Sequence, residues 1–121
     1  MSERISLRDR LLGTKAGKQQ WHDYTRRRDA LPHDYRVVMI QIEKFMYTVA
    51  MDGQVMEVFL GILELFEEGA AEERPVLSVT GEDVAEFALD VLQAVQAKSW
   101  TSQQAAKLNQ RVHQELGVGN D

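Results

Sequence analysis

The stretch "YRVVMIQIEKFMYTVAMDGQVMEVFLGILELF", Tyr35 to Phe66, decides the fold. In its first half Tyr35, Val38, Ile42, Phe45, Met46 and Val49 recur at steps of three and four, the spacing that gathers side chains on one face of an α-helix. Val37, Met39 and Ile40 widen that face, so this helix is expected to be buried on more than one side. In the second half Val55, Met56, Phe59, Leu60, Ile62, Leu63 and Phe66 repeat the pattern. Between them "MDGQ", Met51 to Gln54, carries a glycine that can take up left-handed backbone and end a helix. A short turn between two helices makes them antiparallel neighbours. The stretch therefore predicts a helical hairpin whose facing stripes form the core.

Toward the N-terminus, "LPHDYR" restarts the chain. Pro32 disfavours a helical Leu31 and suits a first helical turn, and Asp34 complements the helix dipole there. Upstream, "KAGKQQWHDYTRRRDAL" puts Trp21, Tyr24 and Leu31 on roughly one side, which predicts a surface helix with a thin apolar stripe. "SLRDRLLG", Ser6 to Gly13, predicts a short first helix with a serine cap and a terminal glycine.

Toward the C-terminus, "LFEEGAAEERPVLSVTGEDVAEF", Leu65 to Phe87, reads as a connector. Gly69 can end the second hairpin helix, and Arg74-Pro75 forces extension, so "PVLSV" is expected as an extended linker held by Val76, Leu77 and Val79. Thr80, with Asp83 three residues on, predicts the next helix start. Glu67 and Glu68 lie at a helix C-terminus, where the dipole disfavours anions, so either basic residues such as Arg74 offset the cost or something outside uses the charge, the first being the expectation. With Glu72 and Glu73 they make an acidic connector.

The last region carries Val84, Phe87, Ala88, Val91, Leu92 and Val95 as a helical stripe. Its phase slips at Trp100 and resumes with Ala105, Leu108, Val112 and Leu116. With Thr101 and Ser102 as candidate caps, a break or kink is expected within "KSWTSQQ". "GVGND", residues 117–121, reads as a frayed tail. The whole predicts an all-α fold in a single domain over 1–121. It is an up-and-down bundle of about four main helices plus a short N-terminal helix over 1–13.

With 121 residues and 44% hydrophobic content the chain can bury a real core, and its few prolines and glycines exclude a fibrous or disordered class. The absence of cysteine excludes disulfides, thiolate metal sites and a cysteine nucleophile, and fits a cytoplasmic location. No signal peptide is read at the start, and charged residues interrupt Val37 to Phe66, so no membrane insertion is expected. The net charge of −5 is uneven: residues 1–36 carry nine basic groups against five acidic, and residues 37–121 five against fourteen. Basic and acidic helix faces neutralising each other within one fold is the simplest account.

Catalytic patterns are missing. His22, His33 and His113 are scattered, and the residues three before them are Gln19, Ala30 and Gln110, so the Glu-x-x-His pair of helical di-iron sites is absent. Neither a phosphate-cradling glycine loop nor a nucleophile elbow is present. Hence neither enzyme activity nor a cofactor or metal is expected. Arg26, Arg27 and Arg28, with Trp21 and Tyr24 close by, form a basic–aromatic cluster, but successive residues on a helix point apart and the acidic chain repels a phosphate backbone. Met39, Met46 and Met56, with Phe59, read as adaptable core packing or else as an apolar pocket. Trp100 joins Trp21 as a candidate interface anchor.

"ALPHDYR", the 65–87 connector and the Trp21–Tyr24 spacing together resemble the bacterial family called domain of unknown function 1048, best between about Trp21 and Leu92. The resemblance implies a small, all-helical cytoplasmic protein with no established activity, often encoded beside PadR-type regulators. A DNA-binding, ferritin-like role sometimes attached to the family gets little support from a chain with no Glu-x-x-His pair and negative charge. The sparse stripe over 96–116 departs from the family pattern.

The function expected is thus a non-enzymatic interaction or accessory regulatory module, through Trp21, Tyr24, Arg26–Arg28 or Trp100, with a protein partner or by self-association. The alternatives are a sensor of small apolar ligands with a pocket between helices, and a weak nucleic-acid binder.

Overall fold

The computed structural model describes residues 15–49 and 55–117. Five helices follow one another among them: α1 (Lys15–Asp29), α2 (His33–Val49), α3 (Val55–Ala71), α4 (Val76–Thr80) and α5 (Val84–Leu116). No strand occurs among the described residues, and the all-α expectation holds. The short helix expected over 1–13, the turn around Gly53 and the tail beyond Gly117 lie outside the described residues.

α2 and α3 form the antiparallel pair. Tyr35, at the start of α2, meets Phe66 near the end of α3 with ring centres 5.3 Å apart, and Tyr47 meets Phe59 at 5.9 Å. Edge-on contacts of this kind suit the ring quadrupoles. α3 is the hub and touches each of α1, α2, α4 and α5. Its Val58, Phe59, Ile62, Leu63 and Phe66 are wholly buried. α2 is less enclosed than its width of apolar residues predicts: Met39, Ile42 and Met46 are buried, but Val37 and Val49 are exposed. Among the described residues, no helix covers the outer side of α2 at these two positions.

The connector differs from its expectation in three places. Val76–Thr80 is a short helix, not an extended linker. Pro75 stands just before it in extended backbone, and the apparent alternation of "PVLSV" is a helical step that buries Val76 and Thr80. The cap of α5 is Asp83, which accepts a hydrogen bond from the Glu86 amide at 3.0 Å; the Thr80 hydroxyl instead donates to the Gly81 carbonyl. Gly69 does not end α3, which runs on to Ala71. The residue that turns left-handed is Glu73 (φ 58°). Arg74 N–H donates to the Gly69 carbonyl and Glu73 N–H to the Ala70 carbonyl, both at 3.0 Å. That is a Schellman closure with glutamate in the place glycine usually takes.

No break occurs near Trp100. α5 is one helix of 33 residues. It contains neither proline nor glycine, and serine and threonine alone do not interrupt a helix already propagating. It ends at Gly117, in left-handed backbone (φ 70°).

Candidate interaction surface

At 1.5 Å per residue, α5 is roughly 50 Å long and α3 roughly 25 Å. The bundle therefore covers only the first half of α5. Ala88 and Leu92 are buried, and Phe87 stacks on Phe66 with ring centres 6.3 Å apart. From Trp100 to Gly117 every residue is exposed. Leu108 is 58% exposed, Val112 43%, Leu116 69% and Trp100 64%, large values for apolar side chains.

The phase slip in the sequence has its explanation here. α5 carries two stripes on two faces. One, through Ala88, Leu92 and Val95, serves the core, with Phe87 and Val91 packing part of their surface beside it, and stops where the bundle stops. The other runs through Phe87, Val91 and Ala94, skips the polar Lys98 and Thr101, and resumes at Ala105, Leu108 and Val112. In its first half this outer stripe lines an open apolar groove of about 420 Å³ with Asp90, Val95 and Lys98. Trp100 falls about 140° around the helix from this stripe at 100° per residue, so it stands on another face.

The basic–aromatic cluster is largely consumed inside the fold. Tyr24 is buried, its hydroxyl donating to Glu43 Oε2 at 2.6 Å, and its ring lies 5.5 Å from half-buried Trp21. Arg28 Nη1 donates to both Glu43 oxygens at 2.8 and 3.0 Å. Arg27 donates twice to Glu67, at 2.6 and 3.0 Å. Arg26 stays open, its side chain 68% exposed and 3.5 Å from Asp23. Two of three arginines thus meet acidic partners on α2 and α3, the internal neutralisation that the uneven charge suggested.

Burial pulls the Arg28 guanidinium down, but hydrogen bonds and charges from Glu43 and Asp29 outweigh this and hold it above its ordinary value. Burial, then the charge and hydrogen bond of Glu43, push the Tyr24 phenol far above its usual range. Glu43 is the functional-looking residue that sequence reading passes over. Nothing in its local pattern distinguishes it from a solvent glutamate; its partners come from another helix.

In the acidic connector, Glu67 is offset by Arg27 of α1 rather than by Arg74. Arg74 lies 3.9 Å from Glu72 and donates to the Ser78 carbonyl at 2.8 Å. Glu68 and Glu73 are exposed. Met39, Met46, Met56 and Phe59 are close-packed members of the core. A cleft of about 600 Å³ opens between the start of α2 and the connector, lined by His33, Asp34, Glu73 and Arg74 among others. Among the described residues no group of three or more histidines or carboxylates is placed to hold a metal ion. No helix of the described residues is long and apolar enough to cross a membrane.

Comparison with known proteins agrees with the fold. The family model described as "Protein of unknown function (DUF1048)" matches residues 13–113. A similar solved structure is the crystal structure of a DUF1048 protein with a left-handed superhelix fold from Bacillus cereus ATCC 10987. It is 38% identical, superposes with a TM-score of 0.59, and is matched over 94% of its own chain and 61% of this one. More than a third of the present chain thus has no counterpart in it. No curated protein matches the chain at a significant level.

Proposed function

The chain belongs to the DUF1048 family of proteins of unknown function, and on that footing we propose that it is a non-enzymatic interaction module, accessory to a partner protein or to its own copies. The observation that carries this reading is the second half of α5. Leu108, Val112 and Leu116 lie exposed on a helix that has left its own bundle behind. Isolated helices of this length are marginal in water, and in proteins most helical stability comes from packing an apolar face. An uncovered apolar stripe on a projecting helix is the usual mark of a contact surface.

The test uses the tagged full chain in native extract. It should run well above the 13.8 kDa of a single chain. The triple variant Leu108→Glu, Val112→Glu, Leu116→Glu should run as a single chain, with a melting temperature within a few degrees of the parent, because these residues support nothing in their own bundle. A parent that already runs as a single chain in extract would remove the reading.

A further inference from the structure

Charge and register along α5 say what covers it. We infer that the outer stripe of α5 pairs with the same stripe of a second copy, antiparallel, in a two-fold symmetric helical dimer. This rests on the interaction reading above and names its partner.

The charges come first. The start of α5 and its cap are acidic, with Glu82, Asp83, Glu86 and Asp90; from its middle onward the helix is mainly basic, with Lys98, Lys107 and Arg111 against Glu115. Antiparallel pairing lays each acidic half along the basic half of the other copy. Parallel pairing would set like against like. Charge placed this way fixes orientation and register more than it adds affinity.

The register follows from the stripe. Phe87, Val91 and Ala94, then Ala105, Leu108 and Val112, fall at alternating steps of three and four, the heptad seam of a coiled coil. Set two copies antiparallel with Val91 of one opposite Leu108 of the other. Ala94 then faces Ala105, and Phe87 faces Val112. The two polar seam positions, Lys98 and Thr101, face each other at the centre rather than an apolar side chain. A polar residue at one seam position is a known means of fixing register. The same alignment brings Asp90 beside Arg111 of the other copy, twice by symmetry. Each projecting half would lie in the open groove beside Phe87 and Val91, so the two uncovered parts of the helix cover each other. The contact is isologous and closes on itself.

The purified full chain, with no other protein present, should sediment at the mass of two copies. A single chain in purified form, with a larger assembly persisting in extract, would overturn the dimer and leave the interaction reading standing. Orientation is tested with introduced thiols, for which a chain without cysteine is a clean background. Under mild oxidation Val91→Cys with Leu108→Cys should give a covalent dimer, and Leu108→Cys alone should not. A covalent dimer from Leu108→Cys alone means parallel helices and overturns the inference. Asp90→Arg should weaken the dimer roughly tenfold because two contacts turn repulsive, and adding Arg111→Asp should restore it. A double variant no tighter than Asp90→Arg would also count against this register.

Discussion

The Tyr24 hydroxyl donates to Glu43 across 2.6 Å, and the carboxylate that receives it is held from its other side by Arg28. The Arg28 guanidinium also lies 6.0 Å from the Tyr24 ring centre. One turn of α1 thus supplies both partners for a glutamate of α2 whose side chain is only 8% exposed. Breaking a buried pair leaves its survivor charged and dry, which costs about 3–5 kcal/mol. Arg28→Ala should therefore destabilise by about 3 kcal/mol in urea unfolding. Arg28→Leu with Glu43→Leu and Tyr24→Phe should recover most of that loss, because neither an orphaned charge nor an unpaired buried hydroxyl remains. A loss below about 1 kcal/mol for Arg28→Ala would mean that water reaches the carboxylate.

The same contact sets an alkaline limit. The Tyr24 phenol is held above its ordinary 10.0, first by burial and then by Glu43. Below pH 10 both folded and unfolded chains keep this proton, and the stabilisation is fully present. Above it the unfolded chain loses the proton and the folded chain retains it, so the unfolded state binds fewer protons and stability falls as pH rises. The slope from this group approaches about 1.4 kcal/mol per pH unit. Urea midpoints between roughly pH 9 and 11 should fall for the parent more steeply than for Tyr24→Phe. Tyrosinate absorbance should show Tyr24 ionising only with unfolding. Ordinary titration of Tyr24 in the folded protein would contradict its placement.

How much of this was legible in sequence depends on the range of the interaction. The hairpin of Tyr35–Phe66 was legible because periodicity is local and both helices meet the same core. At Val76 five residues are too few to separate a helical step from alternation, so sequence alone points to an extended linker where the chain forms a short helix. The slip at Trp100 looked like a break because one helix serves two partners on two faces. Sequence shows the change of face but not that the bundle has ended. Glu43 was invisible as a site, since its neighbours are assigned only by tertiary packing.

The pair of Arg27 and Glu67 looks stronger than Arg28 with Glu43, with contacts of 2.6 and 3.0 Å, but its side chains are 38% and 37% exposed. Water and salt screen such a pair, and its worth falls to about 0.5 kcal/mol. A double-mutant cycle of Arg27→Ala and Glu67→Ala should give a coupling below 1 kcal/mol, roughly halved in 0.5 M salt. A coupling above about 2 kcal/mol would show that the connector shields this pair from water.

Two glycines of α3 should answer oppositely to the same change. A Cβ at Gly69 would stand 2.6 Å from Tyr35 Oη and 2.7 Å from Val79 Cγ2. The Tyr35 hydroxyl donates to the Arg74 carbonyl at 2.7 Å, so it cannot retreat without loosening the closure of α3. Gly69→Ala should destabilise by about 2–3 kcal/mol, the range of overpacking in a closed core. Most of that loss should vanish when Tyr35→Phe and Val79→Ala are already present, because the three sites share one contact. A Cβ at Gly61 meets nothing within 4 Å. There the helix gains alanine's propensity without a clash, so Gly61→Ala should stabilise by about 0.8–1 kcal/mol. Thermal unfolding of the two single variants decides it. A Gly69→Ala variant as stable as the parent would mean that α3 does not pack Gly69 against Tyr35, and a destabilised Gly61→Ala would mean that the Gly61 site is not open.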